Sequence, residues 1–322
     1  MDDPFSRLLV LRQRLGAFAD WLAIASAVAL PWSTTVTAVL IATWFVTLLG
    51  SWNIPERYGE QWTAAAALPL VLWGFGILGV LWAGVPWADR LASLNSFQKL
   101  FMVPFLALQF RDSHRGMCVL IGFLISSTLL LIVSWGLILL PDLAWRGRER
   151  MIGVPVKDYI SQNIIFTLCI IGLAEGAFLA WQKGNRRGSL ALVLLAAGQS
   201  GMAGLSSANP HNQVLATAIQ LGLLGALLLL AMWVAHLLFF FVPGLPAGIA
   251  FAIVVQNVIS SQFNSSLFDF TQGWVYVLGV GVLGGMVVRE SPYKQALKWY
   301  EQGMRGSPKN ATRFLGSPSR PA

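Results

Sequence analysis

The chain has 322 residues, 56% of them hydrophobic and only 11% charged, against roughly 25% charged in ordinary soluble proteins. This balance excludes a water-soluble globule, and several stretches approach the ~20 apolar residues that a bilayer-spanning helix needs. The formal charge of +8 is accounted for by Lys and Arg collected on one side of a membrane, not by a nucleic-acid partner.

The expected fold is therefore all-α: a polytopic bundle of about ten spans over residues 1–290, followed by a basic, partly disordered cytoplasmic tail, 291–322. Met1–Arg14 is polar and basic and does not read as a cleavable signal. Two short spans follow, Ala17–Trp32 and Ser33–Gly50, divided by Pro31-Trp32-Ser33 as in a tight hairpin. A polar loop leads to a third span, Thr63–Ala83, rich in Gly and Trp. After Arg90 an amphipathic stretch leads to a fourth, Phe97–Phe110. The charged turn at 111–115 precedes a fifth, Met117–Leu140, which Pro141 ends. The sixth span is Tyr159–Trp181, and after a basic turn a shorter apolar run, Ser189–Gly198, extends to about Leu205. The eighth begins after Pro210-His211 and ends near Phe241 at a Pro-Gly-Leu-Pro breaker. Ala247–Ser260 and Gln272–Val288 complete the series, the last with Gly281 and Gly285 at close-packing spacing. Cys118 and Cys169 both fall within spans and read as inert core residues.

Charge tests this topology. With the N-terminus cytoplasmic and the spans alternating, most Lys and Arg fall inside, as the positive-inside rule demands. Both termini are then cytoplasmic and His211 faces outward. One outer loop breaks the rule, placing Arg146, Arg148 and Arg150 beside the bilayer surface. Arginine presents a planar fork of donors suited to phosphate, so the loop reads either as a lipid-phosphate clamp or as headgroup anchoring. His211, at the mouth of an apolar helix, carries an imidazole with an ordinary pKa of ~6.5 that can accept a proton from an incoming hydroxyl; a helix-start residue at the interface is the plainer reading. Glu175, Asp20 and His236 lie within spans and read as hydrogen-bonded structural groups. No metal-ligand cluster, phosphate loop or dinucleotide fingerprint occurs, and no cofactor is expected.

Pro210-His211-Asn212-Gln213 followed by Gln220-Leu-Gly222-Leu-Leu-Gly225 resembles the signature of the O-antigen ligase-like membrane glycosyltransferases, which include O-antigen ligases and polysaccharide polymerases. Arg150-Met-Ile-Gly153 is similar to the family's Arg-x-x-Gly element, and Gln98-Lys99-Leu100 to Pro104 to its Lys-Leu…Pro stretch; Phe263-Asn264 to Asp269 fits its last outer loop more loosely. The resemblance implies a metal-independent glycosyltransferase of the bacterial inner membrane with its active face periplasmic. It would move a glycan from undecaprenyl pyrophosphate to lipid A–core. His211 would be the acceptor-activating base and Arg150 the pyrophosphate clamp, with Arg146, Arg148, Asn212, Lys99 and Arg90 as further substrate-binding candidates. The sequence departs from the family between the sixth span and His211. About thirty residues, with no Arg after Arg187, stand where a Ser-Arg element and a long periplasmic loop are expected. A polymerase of the same family, or a non-catalytic transporter or scaffold that binds lipid phosphates, fits the same residues.

Overall fold

A computed structural model describes residues 4–51, 63–84, 86–140, 142, 153–203 and 212–290. All regular structure among them is helical. Helix α1, Pro4–Ala29, runs unbroken through the segment expected to be a polar lead-in, because nothing between Pro4 and Leu30 interrupts the backbone ladder. It stops short of the expected Trp32 since Pro31 has no N–H to continue it. Ser33 Oγ then accepts from Val36 N at 3.2 Å and starts α2, Thr34–Ser51. Helix α3, Ala64–Trp82, is capped by Thr63, whose side chain accepts from Ala66 N. A short helix α4, Trp87–Leu94, and a 3-10 turn, Gln98–Phe101, lead into α5, Met102–Asp112.

Helix α6 is Gly116–Leu139, α7 Tyr159–Gln182, α8 Arg186–Ala203 and α9 Gln213–Phe240; α10, Leu245–Ser260, opens with Pro246 in its first turn, where a missing N–H costs nothing. The last, α11, is Phe270–Glu290. Among the described residues six helices (α2, α3, α6, α7, α9 and α11) are long and apolar enough to cross a membrane. α10 is apolar but shorter. The fourth expected span corresponds to the 3-10 turn plus α5, and the tail from 291 onward lies outside the described residues.

Helix α11 is the most deeply buried of the six, and the core forms around it. Its Gly281 and Gly285 form the seam expected of the small-residue spacing, and the partner is α5. A Cβ on Gly281 would stand 2.5 Å from Leu106 Cβ, and one on Gly285 2.5 Å from the Ala107 carbonyl oxygen. The glycines thus let two backbones approach within one chain. Trp44 of α2 donates to Gln109 Oε1 of α5 at 2.7 Å, tying the first hairpin to the same centre.

The bundle has two polar ends. At one, Asp20, Gln109, Ser113, Arg115 and Arg289 meet; Asp20 accepts from Gln109 Nε2 and Ser113 Oγ, both at 2.7 Å, and from Arg115 Nη1 at 3.4 Å, and Arg289 donates to the Ser113 carbonyl. At the other, Lys99, Lys157 and the starts of α7, α9 and α11 converge on the 261–271 segment. The first is the arginine end and the second the lysine end.

Candidate functional site

Three helices begin at the lysine end, and each start is held by a polar side chain. Asp158 caps α7, accepting from Ser161 N at 2.9 Å and Ser161 Oγ at 2.8 Å. Asn212 caps α9, its Oδ1 accepting from Val214 N and Leu215 N at 2.9 and 3.1 Å. Asp269 stands before α11 and accepts from Gln272 N at 2.9 Å. Unsatisfied N–H groups give each start about half a positive charge, so the aspartates answer the helices first.

Two lysines are sunk among these starts. Lys99 is buried on the 3-10 turn, and its ammonium donates to the carbonyls of Leu267, Phe268 and Asp269 at 3.3, 2.9 and 2.6 Å. Gly273 makes the room: a Cβ there would stand 2.5 Å from the Leu267 oxygen and 2.7 Å from Lys99 Nζ. Lys157 comes from the segment before α7, donates to the Leu30 carbonyl at the end of α1 and to Thr271 Oγ1 at 2.9 Å, and lies 5.9 Å from the Phe270 ring centroid. Burial pulls its pKa from 10.5 down to about 8, partly opposed by Asp269 and Asp158.

The backbone of α9 explains the two spaced glycines of its motif. Gly222 has φ 71° and ψ −175°, a break inside an otherwise continuous helix and a conformation that essentially only glycine adopts. The break swings Leu221 so that a Cβ on Gly225 would lie 2.3 Å from Leu221 Cβ. Both glycines therefore serve one kink. The nine residues before it, Gln213–Leu221, dock separately: Gln213 N donates to the Ser261 carbonyl at 2.8 Å, and its Oε1 accepts from Leu267 N at 3.1 Å. Gly153 answers to the same logic, with φ 81° and its carbonyl accepting from Gln162 Nε2 at 3.1 Å.

His211, Arg146, Arg148 and Arg150 lie outside the described residues. The residues that flank them do not: Asn212 follows His211 directly, and Gly153 follows Arg150 by three. Both anchor at the lysine end, as does Lys99. Asn212, a substrate-binding candidate from sequence, caps α9 and donates from Nδ2 to Gln262 Oε1 at 3.3 Å. Arg90 lies on α4, donating to the Val80 carbonyl at 3.2 Å with its guanidinium 4.7 Å from the Trp87 ring centroid. Gln213 and Asp269 stand in the family-like stretches without a role of their own, and the sequence assigns no role to Lys157 or Thr271. The signal for Lys157 was its position as an outer cation directly before a helix-capping aspartate.

Further buried acceptors lie on the elements that form this end. Asn257 Oδ1 and Ser261 Oγ at the close of α10, and Gln272 Oε1 at the start of α11, have no hydrogen-bond partner among the described residues. A buried polar atom left unanswered costs roughly 1–3 kcal/mol. Of the other ionisable groups within spans, His236 donates from Nε2 to the Ala65 carbonyl at 2.7 Å and shares Nδ1 with the Tyr276 hydroxyl at 2.6 Å, a structural bridge between α3, α9 and α11. Glu175 of α7 is half-buried, with Oε1 3.8 Å from where a Cβ on Gly248 would stand. Among the described residues no three His, Cys, Asp or Glu side chains are grouped to hold a metal ion. No protein-family model, curated protein or solved structure matches the chain.

Proposed function

We propose that the protein transfers a glycan from undecaprenyl pyrophosphate to a hydroxyl of lipid A–core at the periplasmic face of the bacterial inner membrane. The observation that carries the reading is convergence. The start of α9, two residues after His211, and the chain at Gly153 and Lys157 both dock at the end of the bundle where a buried and a half-buried lysine and three helix N-termini favour an anion. In this reading the remaining spans of the ten alternate across the membrane and keep both termini cytoplasmic.

His211 accepts the proton of the acceptor hydroxyl as its oxygen forms the new bond to the anomeric carbon. The bond from that carbon to the pyrophosphate oxygen breaks, and Arg150 stabilises the charge growing on the departing group. Arg146 and Arg148 hold the same pyrophosphate, and the positive field of the lysine end extends their reach.

The test is complementation of a ligase-deficient strain, with its lipopolysaccharide stained for long-chain ladders. The wild-type chain restores ladders; His211→Ala and Arg150→Ala chains, expressed at equal level, lose them at least a hundredfold and accumulate the undecaprenyl-linked precursor. Ladders that persist with His211→Ala rule out its role as base. A polymerase of the same family would lengthen the lipid-linked glycan without restoring attachment. The segment between Arg187 and His211, with no further arginine, favours a second reading, a non-catalytic binder of lipid phosphates. There His211→Ala leaves function intact, while neutralising Arg146, Arg148 and Arg150 abolishes lipid binding.

A further inference from the structure

The α7–α8 hairpin is gripped only lightly by the rest of the bundle. The two helices pack along each other, whereas α8 barely meets α6, and α7 touches α6 and α10 only over short stretches. Between hairpin and bundle lies a cavity of about 450 Å³, walled by Leu120 and Ile125 of α6, Gly172 and Gly176 of α7, Leu192 of α8 and Ile249 of α10. That volume falls in the range of ligand pockets, roughly 300–1,000 Å³. Its lining is almost wholly apolar, so it offers water no partners and suits hydrocarbon. Ile125 is 58% exposed and Ile121 48%, so the cavity opens sideways through the apolar face of α6, which is long and apolar enough to cross a membrane.

Length and charge narrow the occupant. Along α6 the lining runs from Met117 to Leu129, about 18 Å at 1.5 Å per residue. This is close to half of the ~30 Å hydrocarbon core, the depth one leaflet's chain fills. The hairpin turn beyond Gly176 carries Lys183, Arg186 and Arg187, all exposed, with no acid between 183 and 187. It lies about 10 Å past Gly176 along the helix. Trp181 is exposed beside it with the Arg186 guanidinium 5.6 Å from its ring centroid, the pairing of aromatic and cation found at headgroup level. Clustered basic residues there attract anionic lipid.

We propose that this cavity holds one acyl chain of an anionic phospholipid whose phosphate lies against Lys183, Arg186 and Arg187, and that the lipid completes the packing of the hairpin onto the bundle. The site is at the opposite end of α7 from Lys157 and does not depend on glycan transfer.

Native mass spectrometry of the full chain released from nanodiscs tests it. From phosphatidylglycerol nanodiscs the protein keeps one lipid per chain; from phosphatidylcholine nanodiscs the bound fraction falls at least tenfold. The combined variant Lys183→Gln, Arg186→Gln, Arg187→Gln loses phosphatidylglycerol to the same extent. Gly176→Leu, where a new Cβ has only Leu192 Cδ1 within 4 Å, at 3.4 Å, fills the cavity and loses the lipid with the basic turn intact. Should that variant not express, Ile125→Trp fills it from the open side. Equal retention of both lipids, or retention unchanged in the charge variant, overturns the headgroup assignment. A lipid kept by the filled variants overturns the cavity assignment, and a wild-type chain that keeps none overturns both.

Discussion

Around Asp20 at the arginine end three cations each have an acid close by: Arg115 lies 3.4 Å from Asp20, Arg111 3.6 Å from Asp112 and Arg289 3.7 Å from Glu290. Arg115 is also 41% exposed, so water shares the load. At the lysine end Lys99 and Lys157 meet carbonyl oxygens and a hydroxyl, and the nearby carboxylates, Asp158 and Asp269, already cap helices. Three further N-terminal dipoles point into the same space. The Asp20 cluster is thus held by direct ion pairs, whereas at the lysine end Asp158 and Asp269 act both on the lysines and on the helix starts they cap. The difference teaches that a cation in this bundle is satisfied in two ways, by a paired carboxylate around Asp20 and by carbonyl oxygens around Lys99.

The comparison is broken most severely by changing a backbone approach. Gly285→Ala at the arginine end puts a Cβ 2.5 to 2.8 Å from the Ala107 oxygen, the Phe110 carbonyl carbon and the Arg111 nitrogen. None of these can rotate away, so α5 must move. Overpacking of this kind costs about 3 kcal/mol, read as thermal unfolding in detergent. Because α5 carries Gln109 and Arg111 and leads on to Arg115, the cost should come with disruption of the Asp20 cluster while Lys99 keeps its carbonyls. A loss below about 1 kcal/mol would mean the α5–α11 seam is looser than its glycines indicate.

Next in size are the side chains that tie each end. Lys99→Met leaves three carbonyls without their donor and should cost ~2–3 kcal/mol. Asp20→Asn keeps the shape of the carboxylate but turns one oxygen into a donor facing Gln109 or Arg115, for about 1–2 kcal/mol. Equal losses in the two variants, by the same unfolding measurement, would erase the distinction between an end held by one buried lysine and an end whose arginine partner is shared with water.

How far these ends could be read in the sequence depends on the range of the interaction. Helix stops and starts are local: Pro31, Thr63, Asp158 and Pro246 act within a turn, and each falls where the expected spans begin or end. Asn212 is local too, an Asn just before an apolar run, which is a cap signal as much as a substrate one. The G-x-x-x-G of α11 identified a packing face, but not α5 as its partner, because spacing says nothing about what lies opposite. Lys157 reaches Leu30 and Thr271, 127 and 114 residues away, and no periodicity reports such a contact. The polar opening of the chain carries its helix for another reason. Its arginines mark it as solvated, yet solvated residues without a breaker still propagate a helix from Pro4.

The smallest effect sharpens the contrast through pH. Folded Lys157 releases its proton near pH 8, whereas the unfolded chain holds it to 10.5. Between those values the unfolded state binds more protons, so this group's contribution to stability rises with pH across the window and is lost again as pH falls through about 8. Unfolding of the wild type and of Lys157→Gln, measured from pH 7 to 10, should give a difference that climbs in favour of the wild type above pH 8. The companion variant Arg115→Gln should give a flat difference, since a guanidinium does not titrate there. A flat line for both would mean that the Lys157 ammonium stands in water and that burial does not loosen its proton.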